Sequence, residues 1–261
     1  MVYRKITENI HPKQTELMEL TGEMNLLDIN RVTKAFGGLL AVNEMDLVIE
    51  QGKIYGLIGP NGAGKTTLFN IISGFYKPES GDVFFAGENV THLNSDQLCH
   101  RGLVRTFQIP KMFPEMSVID NVLIGALSRT RKVGLARSEA EEIIHFLGME
   151  TKKDTLAGSL RVHELKRLEI AKALATKPKL FLLDETMAGL NAVEQDQMID
   201  LLKKVHDSGV TLFVVEHVMR IVANLCEHIV VMNYGEKIAE GRPQDVLKNE
   251  KVVKVYLGEE D

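Results

Sequence analysis

The chain has 261 residues, 44% hydrophobic and 26% charged, with a net charge of −5; it can bury a full core, as one large or two small domains, and lacks the global basic field that points to nucleic acid. Its two cysteines, Cys99 and Cys226, are far apart and in no C-x-x-C pattern, which argues against a disulfide framework or zinc site and suits a reducing cytosol. No apolar run approaches eighteen residues and the N-terminus has no signal-peptide core, so any membrane role falls to a partner.

Residues 1–24 are polar and weakly patterned, and are expected to form a mobile tail, with Met24 an alternative start. From Leu26 the pattern is regular. Leu26–Val32 partly alternates and reads as a strand, Gly37-Gly38 as a turn, and Leu39–Glu50 holds a second strand over Met45–Glu50. After a Gln51-Gly52 turn, Ile54–Ile58 is an apolar run of the size of a buried strand.

Gly59-Pro60-Asn61-Gly62-Ala63-Gly64-Lys65-Thr66 then fits G-x-x-x-x-G-K-[ST], the phosphate-cradling P-loop. Glycines let the backbone turn tightly enough for its N–H groups to face one anion. Lys65 supplies a point charge for the β- and γ-phosphates, and the Thr66 hydroxyl can ligate Mg²⁺. Thr67–Gly74 reads as a helix ending at a glycine, so the loop opens a helix whose dipole favours phosphate. Strand, glycine-rich loop and helix form the context that this motif requires.

Ser80-Gly81-Asp82 turns into a strand at Val83–Ala86, and Gly87-Glu88 closes a hairpin-like unit. Residues ~95–155 carry helical patterning and read as a helical insertion; Ala140, Ile143, Ile144 and Leu147 share one helical spacing. Gln108, at its entry in Arg105-Thr106-Phe107-Gln108, carries little signal alone. Phe36 can stack on a base or serve as an ordinary core or surface residue.

Leu165–Ala175 is a clear amphipathic helix. Leu180–Leu183 and Val210–Val215 are short apolar runs expected of parallel strands. The first ends in Asp184-Glu185: at a strand's C-terminal edge an Asp can hold Mg²⁺, and a Glu one residue later can orient or deprotonate an attacking water. His217 follows the next strand, and neighbouring strand ends of a parallel sheet converge on one site. Ile229–Met232 and Lys237–Ala239 read as strands, and Pro243–Leu247 starts a closing helix. The alternation predicts an α/β fold with a parallel sheet.

Phe36-Gly37-Gly38-Leu39, Arg105–Gln108, Arg167–Ala171, Ala188–Asn191, Val215-Glu216-His217 and Val255–Gly258 together resemble the ATP-binding cassette (ABC) ATPases, over residues 25–258. The likeness extends to one branch, the ATPase subunits of branched-chain amino acid importers. It implies a RecA-like P-loop NTPase core over 25–95 and 156–240 with an antiparallel β subdomain, an inserted helical subdomain over about 96–155, and a C-terminal helix over 243–258.

The resemblance also implies roles. Phe36 matches the adenine-stacking aromatic, and Gly59, Asn61, Gly62, Gly64, Lys65, Thr66 and Thr67 belong to the P-loop. Gln108 matches the residue that senses Mg²⁺ and the transport subunit. Asp184 and Glu185 match the metal-holding Asp and the catalytic base. Ala188, Gly189, Leu190 and Asn191 match a loop crossing a dimer interface, and His217 the switch histidine at the γ-phosphate. Such subunits form head-to-tail dimers, with each ATP between one chain's P-loop and the other's signature motif.

At the signature the chain departs from the family. Counting back from Arg167, the L-S-G-G-Q or L-S-Y-G-Q position holds Leu160-Arg161-Val162-His163-Glu164. The serine donor is lost, and His163 stands where glycine allows close backbone approach to a phosphate; Arg161 can offset this as a cation. Thr186 replaces the proline usual after the catalytic Glu. The expectation is a cytoplasmic ATPase subunit, peripheral on the inner face of the membrane and using ATP and Mg²⁺. Its partners would be a second, different ATPase with an intact signature, two membrane permeases and, indirectly, a solute-binding protein, with no nucleic acid. Phe107, Met112 and Phe113 lie either near the permease contact or in the insertion's core. The solute itself, a branched-chain amino acid or a related small molecule, is not legible. A regulatory subunit that mainly binds ATP and an ABC ATPase without a membrane partner are the competing readings.

Overall fold

A computed structural model describes residues 25–107 and 111–257; the expected N-terminal tail and Gln108 lie outside the described residues. The first strands, β1 (Asn25–Phe36) and β2 (Leu39–Glu50), form a hairpin through Gly37-Gly38, and β1 also pairs antiparallel with β4 (Ser80–Phe85). With the short β5 (Glu88–Asn89) they give a four-stranded sheet ordered β2-β1-β4-β5. Met45, Leu47 and Ile49 of β2 are buried and Asp46 and Val48 between them are exposed, the period-2 signature of a sheet with one face on a core.

The second sheet carries the site. It holds β3 (Ile54–Ile58), β6 (Leu103–Arg105), β7 (Leu180–Asp184), β8 (Thr211–Val215), β9 (His228–Asn233) and β10 (Glu236–Gly241), ordered β10-β9-β3-β8-β7-β6. All neighbours are parallel except the edge strand β10. Every residue of β3, β7 and β8 is buried, which explains why they read as continuous apolar runs. Alternation along each strand divides them between two cores. Tyr55, Leu57, Leu182, Phe213 and Val215 face the core shared with the antiparallel sheet and α1 (Lys65–Ile72); Ile54, Ile58, Phe181, Leu183 and Val214 face the other core.

That other core is covered by α5 (Val162–Leu174), α6 (Ala192–Asp207) and α7 (Met219–Leu225), which follow α2 (Ser95–Arg101), α3 (Val118–Leu127) and α4 (Val133–Phe146) in the chain. Ser117 caps α3 by accepting from the Asp120 N–H at 3.2 Å. Buried Asn121 holds the preceding loop, accepting from Phe113 N–H and donating to the Phe113 and Ser117 carbonyls.

Two expectations change. The segment read as helical from residue 95 contains β6, which joins the parallel sheet beside β7; three residues are too few to show a period. The closing helix is two, α8 (Pro243–Val246) and α9 (Glu250–Leu257), the second started by Asn249, whose side chain accepts from Lys251 N–H.

Candidate functional site

Strand order brings the candidate residues together. β3 leads into the P-loop, β8 lies beside it, and β7 lies beside β8, so the P-loop, Glu216-His217 and Asp184-Glu185 all emerge from C-terminal ends of adjacent parallel strands, the edge where open α/β sheets bind ligands.

Lys65 opens α1 and is buried, its Nζ donating to the carbonyls of Gly59 and Pro60 at 2.8 Å each. Burial pulls its ammonium below the usual lysine value, opposed by the charges of Glu185 and Asp184. Gly64 has φ +100, and a Cβ there would meet the Ala41 carbonyl at 2.1 Å, so only glycine fits. Asn61, Gly62 and Thr66 are exposed and Thr67 half-buried. From the far end of the chain, Tyr256 comes up against the Gly59 backbone, and partial burial pushes its phenol up to about 12.

Asp184 is buried at the end of β7. Its Oδ2 accepts from Arg105 Nη2 at 2.7 Å and its backbone N–H donates to Thr106 Oγ1 at 3.2 Å. Removing one partner of such a buried ion pair typically destabilises a fold by about 3–5 kcal/mol. Glu185 adopts φ +48, a left-handed conformation uncommon outside glycine, and its N–H donates to the Val215 carbonyl at 3.0 Å. Its Oε1 lies 2.6 Å from Nε2 of His217. Glu216, buried behind them, accepts from the Met187 N–H at 3.1 Å; burial raises its carboxyl to about 7, against hydrogen bonds from the Met187 and His217 backbones.

Thr66 and Asp184 offer a hydroxyl and a carboxylate. This oxygen donor chemistry suits Mg²⁺, which is held by one or two carboxylates together with phosphate oxygens. Among the described residues no three His, Cys, Asp or Glu side chains gather into a protein-only metal cage. Thr186 is buried, and its hydroxyl has no hydrogen-bond partner among the described residues.

Phe36 is exposed at the end of β1, its ring edge-on to Tyr76 at 5.2 Å between centroids. Ala188 and Gly189 are exposed, Leu190 is buried, and Asn191 caps α6 by accepting from the Glu194 N–H at 3.0 Å. At the signature position Arg161 and Val162 are exposed at the start of α5, with Glu164 accepting from the Arg161 N–H at 2.8 Å. His163 is turned toward its own chain, Nδ1 3.0 Å from Glu194 Oε1.

A cavity of about 280 Å³ opens beside β6, between α3 and α5, lined in part by Phe107, Met112, Ile124, Glu169 and Lys172. Phe113 is exposed outside its lining, with Lys172 Nζ 4.9 Å from its ring centroid. Sequence reading gave no role to Arg105, Tyr76 or Glu216. Glu216 follows four apolar residues, Leu212–Val215, and both it and Arg105 lie in segments that carry the family resemblance without a role of their own; Tyr76 offered no signal.

Residues 42–188 match the family model described as ABC transporter. The chain belongs to the ABC transporter family and is one of its ATPases. Residues 236–261 match a second model, described as branched-chain amino acid ATP-binding cassette transporter. The chain is 38% identical over 250 residues to the probable branched-chain amino acid transport ATP-binding protein LivG of Archaeoglobus fulgidus, covering 91% of this chain and 97% of that one. It is also 38% identical over 250 residues to the high-affinity branched-chain amino acid transport ATP-binding protein BraF of Pseudomonas aeruginosa, covering 90% and 98%. Among solved structures, a nucleotide-free ATP-binding cassette from an ABC transporter superposes with a TM-score of 0.83 at 33% identity, covering 90% of this ABC ATPase and all of that chain. A cassette in its ADP conformation superposes with the same TM-score at 34% identity and the same coverage. No helix among the described residues of this ABC ATPase is long and apolar enough to cross a membrane.

Proposed function

We propose that this ABC ATPase energises import of branched-chain amino acids or related small solutes, hydrolysing ATP at the edge formed by β3, β7 and β8. The observation that carries the reading is the pairing of Glu185 Oε1 with His217 Nε2 at 2.6 Å beside the P-loop. Lys65 would neutralise the β- and γ-phosphates, and the Gly59–Thr67 backbone would cradle them. Thr66 and Asp184, with Gln108, would hold Mg²⁺, which when bound offsets charge on the phosphate oxygens. Glu185 would orient and deprotonate the attacking water, with His217 holding its carboxylate and contacting the γ-phosphate. Phe36, supported by Tyr76, would stack on the adenine.

The branched-chain relatives and the C-terminal match support the substrate class. The partners would be two permeases on the inner face of the membrane, served by a solute-binding protein, and a second ATPase across Ala188–Asn191. The cavity beside Phe107 and Met112 suits an apolar permease segment. Because Arg161 and His163 offer neither the hydroxyl nor the glycine of an intact signature, the second ATPase would be a different chain that supplies one.

The same substitutions favour a second reading, a subunit that mainly binds ATP. ATP turnover by the reconstituted transporter separates the two. Energising activity requires Glu185→Gln in this chain to abolish most solute uptake; uptake that survives the substitution leaves only the binding role.

A further inference from the structure

Arg105 stands where three parts of the site meet. It ends β6, and its neighbour across the ladder is Leu182, two residues before Asp184 on β7. Side chains alternate along a strand, so Leu182, Asp184 and Arg105 share one face. That face packs on α1, the helix opened by the P-loop, and the guanidinium is enclosed between them. Nη2 donates to Asp184 Oδ2 at 2.7 Å, and Nη1 donates to Asn70 Oδ1 at 2.6 Å and Ser73 Oγ at 3.2 Å. The rings of Phe69 and Phe107 each lie 5.7 Å from its Cζ.

The next residue adds a second hold. Thr106 Oγ1 accepts from the Asp184 backbone N–H at 3.2 Å, and the Thr106 N–H donates to the Leu182 carbonyl at 2.9 Å. Two consecutive residues therefore fix both the carboxylate and the amide of Asp184. Phe107 follows, lining the cavity beside α3 and α5, its N–H donating to Glu169 Oε1 at 2.9 Å.

We infer that Arg105 is a positioning residue for Asp184: it takes Oδ2, leaves Oδ1 for the metal, and locks the carboxylate to the P-loop helix and to the segment that enters Gln108. The inference rests on the reading of Asp184 as the Mg²⁺-holding group. Guanidinium suits the task because its planar fork donates to Asp184 and to the α1 side chains at once, and it stays charged when buried. Lysine, a point charge on a flexible stem, cannot hold both in one geometry. The same connection carries any displacement of Thr106 and Phe107 to the Asp184 carboxylate.

The test is binding of a fluorescent ATP analogue to the full chain, in Mg²⁺ and in EDTA. The variants are Arg105→Met, Arg105→Lys, Asp184→Asn and the double Arg105→Met/Asp184→Asn. Outer partners of a metal ligand typically account for roughly 10–100-fold in metal affinity. Arg105→Met should lose that much of the gain in affinity that Mg²⁺ confers, while binding in EDTA stays at the wild-type level. Arg105→Lys should fall between, and the double variant should be no worse than Asp184→Asn alone. The double variant also removes the unpaired buried carboxylate, so it reports even where Arg105→Met fails to fold. Full retention of the Mg²⁺ gain in folded Arg105→Met or Arg105→Lys, equal losses in Mg²⁺ and EDTA, or additive effects in the double variant would each overturn the inference. A wild-type chain with no Mg²⁺ gain would instead overturn the reading of Asp184, and this inference with it.

Discussion

His163 Nδ1 lies 3.0 Å from Glu194 Oε1, and Glu194 Oε2 accepts from the Asn191 N–H at 3.0 Å in the capping box of α6. The side chain at the proposed signature position is therefore tied through Glu194 to Asn191, in the loop proposed to face a second ATPase. In the proposed dimer, a site formed by a partner's P-loop and this segment would lack donors that are worth about 10²–10³ in rate elsewhere. In the assembled complex, with Glu185→Gln silencing this chain's own site, Arg161→Ser with His163→Gly should raise the residual ATPase rate by about tenfold or more. An unchanged rate at saturating ATP would remove the argument for two unequal sites.

Glu185→Gln alone should keep ATP binding and lower turnover by about 10²–10⁴, the usual contribution of a positioned general base. The Gln side chain can still meet His217 Nε2, so the site's geometry should persist. Single-turnover hydrolysis read beside nucleotide affinity checks this, and parallel losses in both would point to a collapsed site.

Gly64 and Gly62 should differ when changed to alanine. Both have positive φ, +100 and +81, but a Cβ at Gly64 meets the Ala41 carbonyl at 2.1 Å, whereas at Gly62 no described residue lies within 4 Å. Gly62→Ala should cost about 1–2 kcal/mol from backbone strain, and Gly64→Ala more, because β2 must move. Urea unfolding without nucleotide would reveal the order, and equal losses would contradict it.

The Glu216 carboxyl, raised by burial from 4.5 to about 7, makes stability pH-dependent. Between these values the unfolded chain ionises this group while the folded chain keeps it protonated. Its contribution is therefore complete below pH 4.5 and is lost as pH rises to about 7, by on the order of 3 kcal/mol. Glu216→Gln should flatten that decline. Denaturant unfolding at pH 5, 6 and 7 tests it, and identical pH slopes in the two proteins would refute the protonated form.

The P-loop, the acids ending β7 and the histidine after β8 were legible because each is local: a fixed spacing, or a polar residue directly after a buried strand. The departure at Arg161–His163 was legible for the same reason, as a count from Arg167. Arg105 was not, since Leu103-Val104-Arg105 is too short to show a strand period within a segment that reads as helical, and its partner lies 79 residues away. Tyr76 beneath Phe36 was hidden in the same way.

The sequence by itself determined the chemistry, because a phosphate cradle is built from consecutive backbone N–H groups and needs only a turn of the right residues. It also determined the α/β class, since each strand and helix carries its own period. Strand order was a tertiary matter: apolar runs such as Ile54–Ile58, Leu180–Leu183 and Val210–Val215 are interchangeable as patterns, and only packing on both faces of the sheet ranks them. That ranking set Glu185 against His217, Asp184 against Arg105 and His163 against Glu194, contacts whose partners no local rule selects.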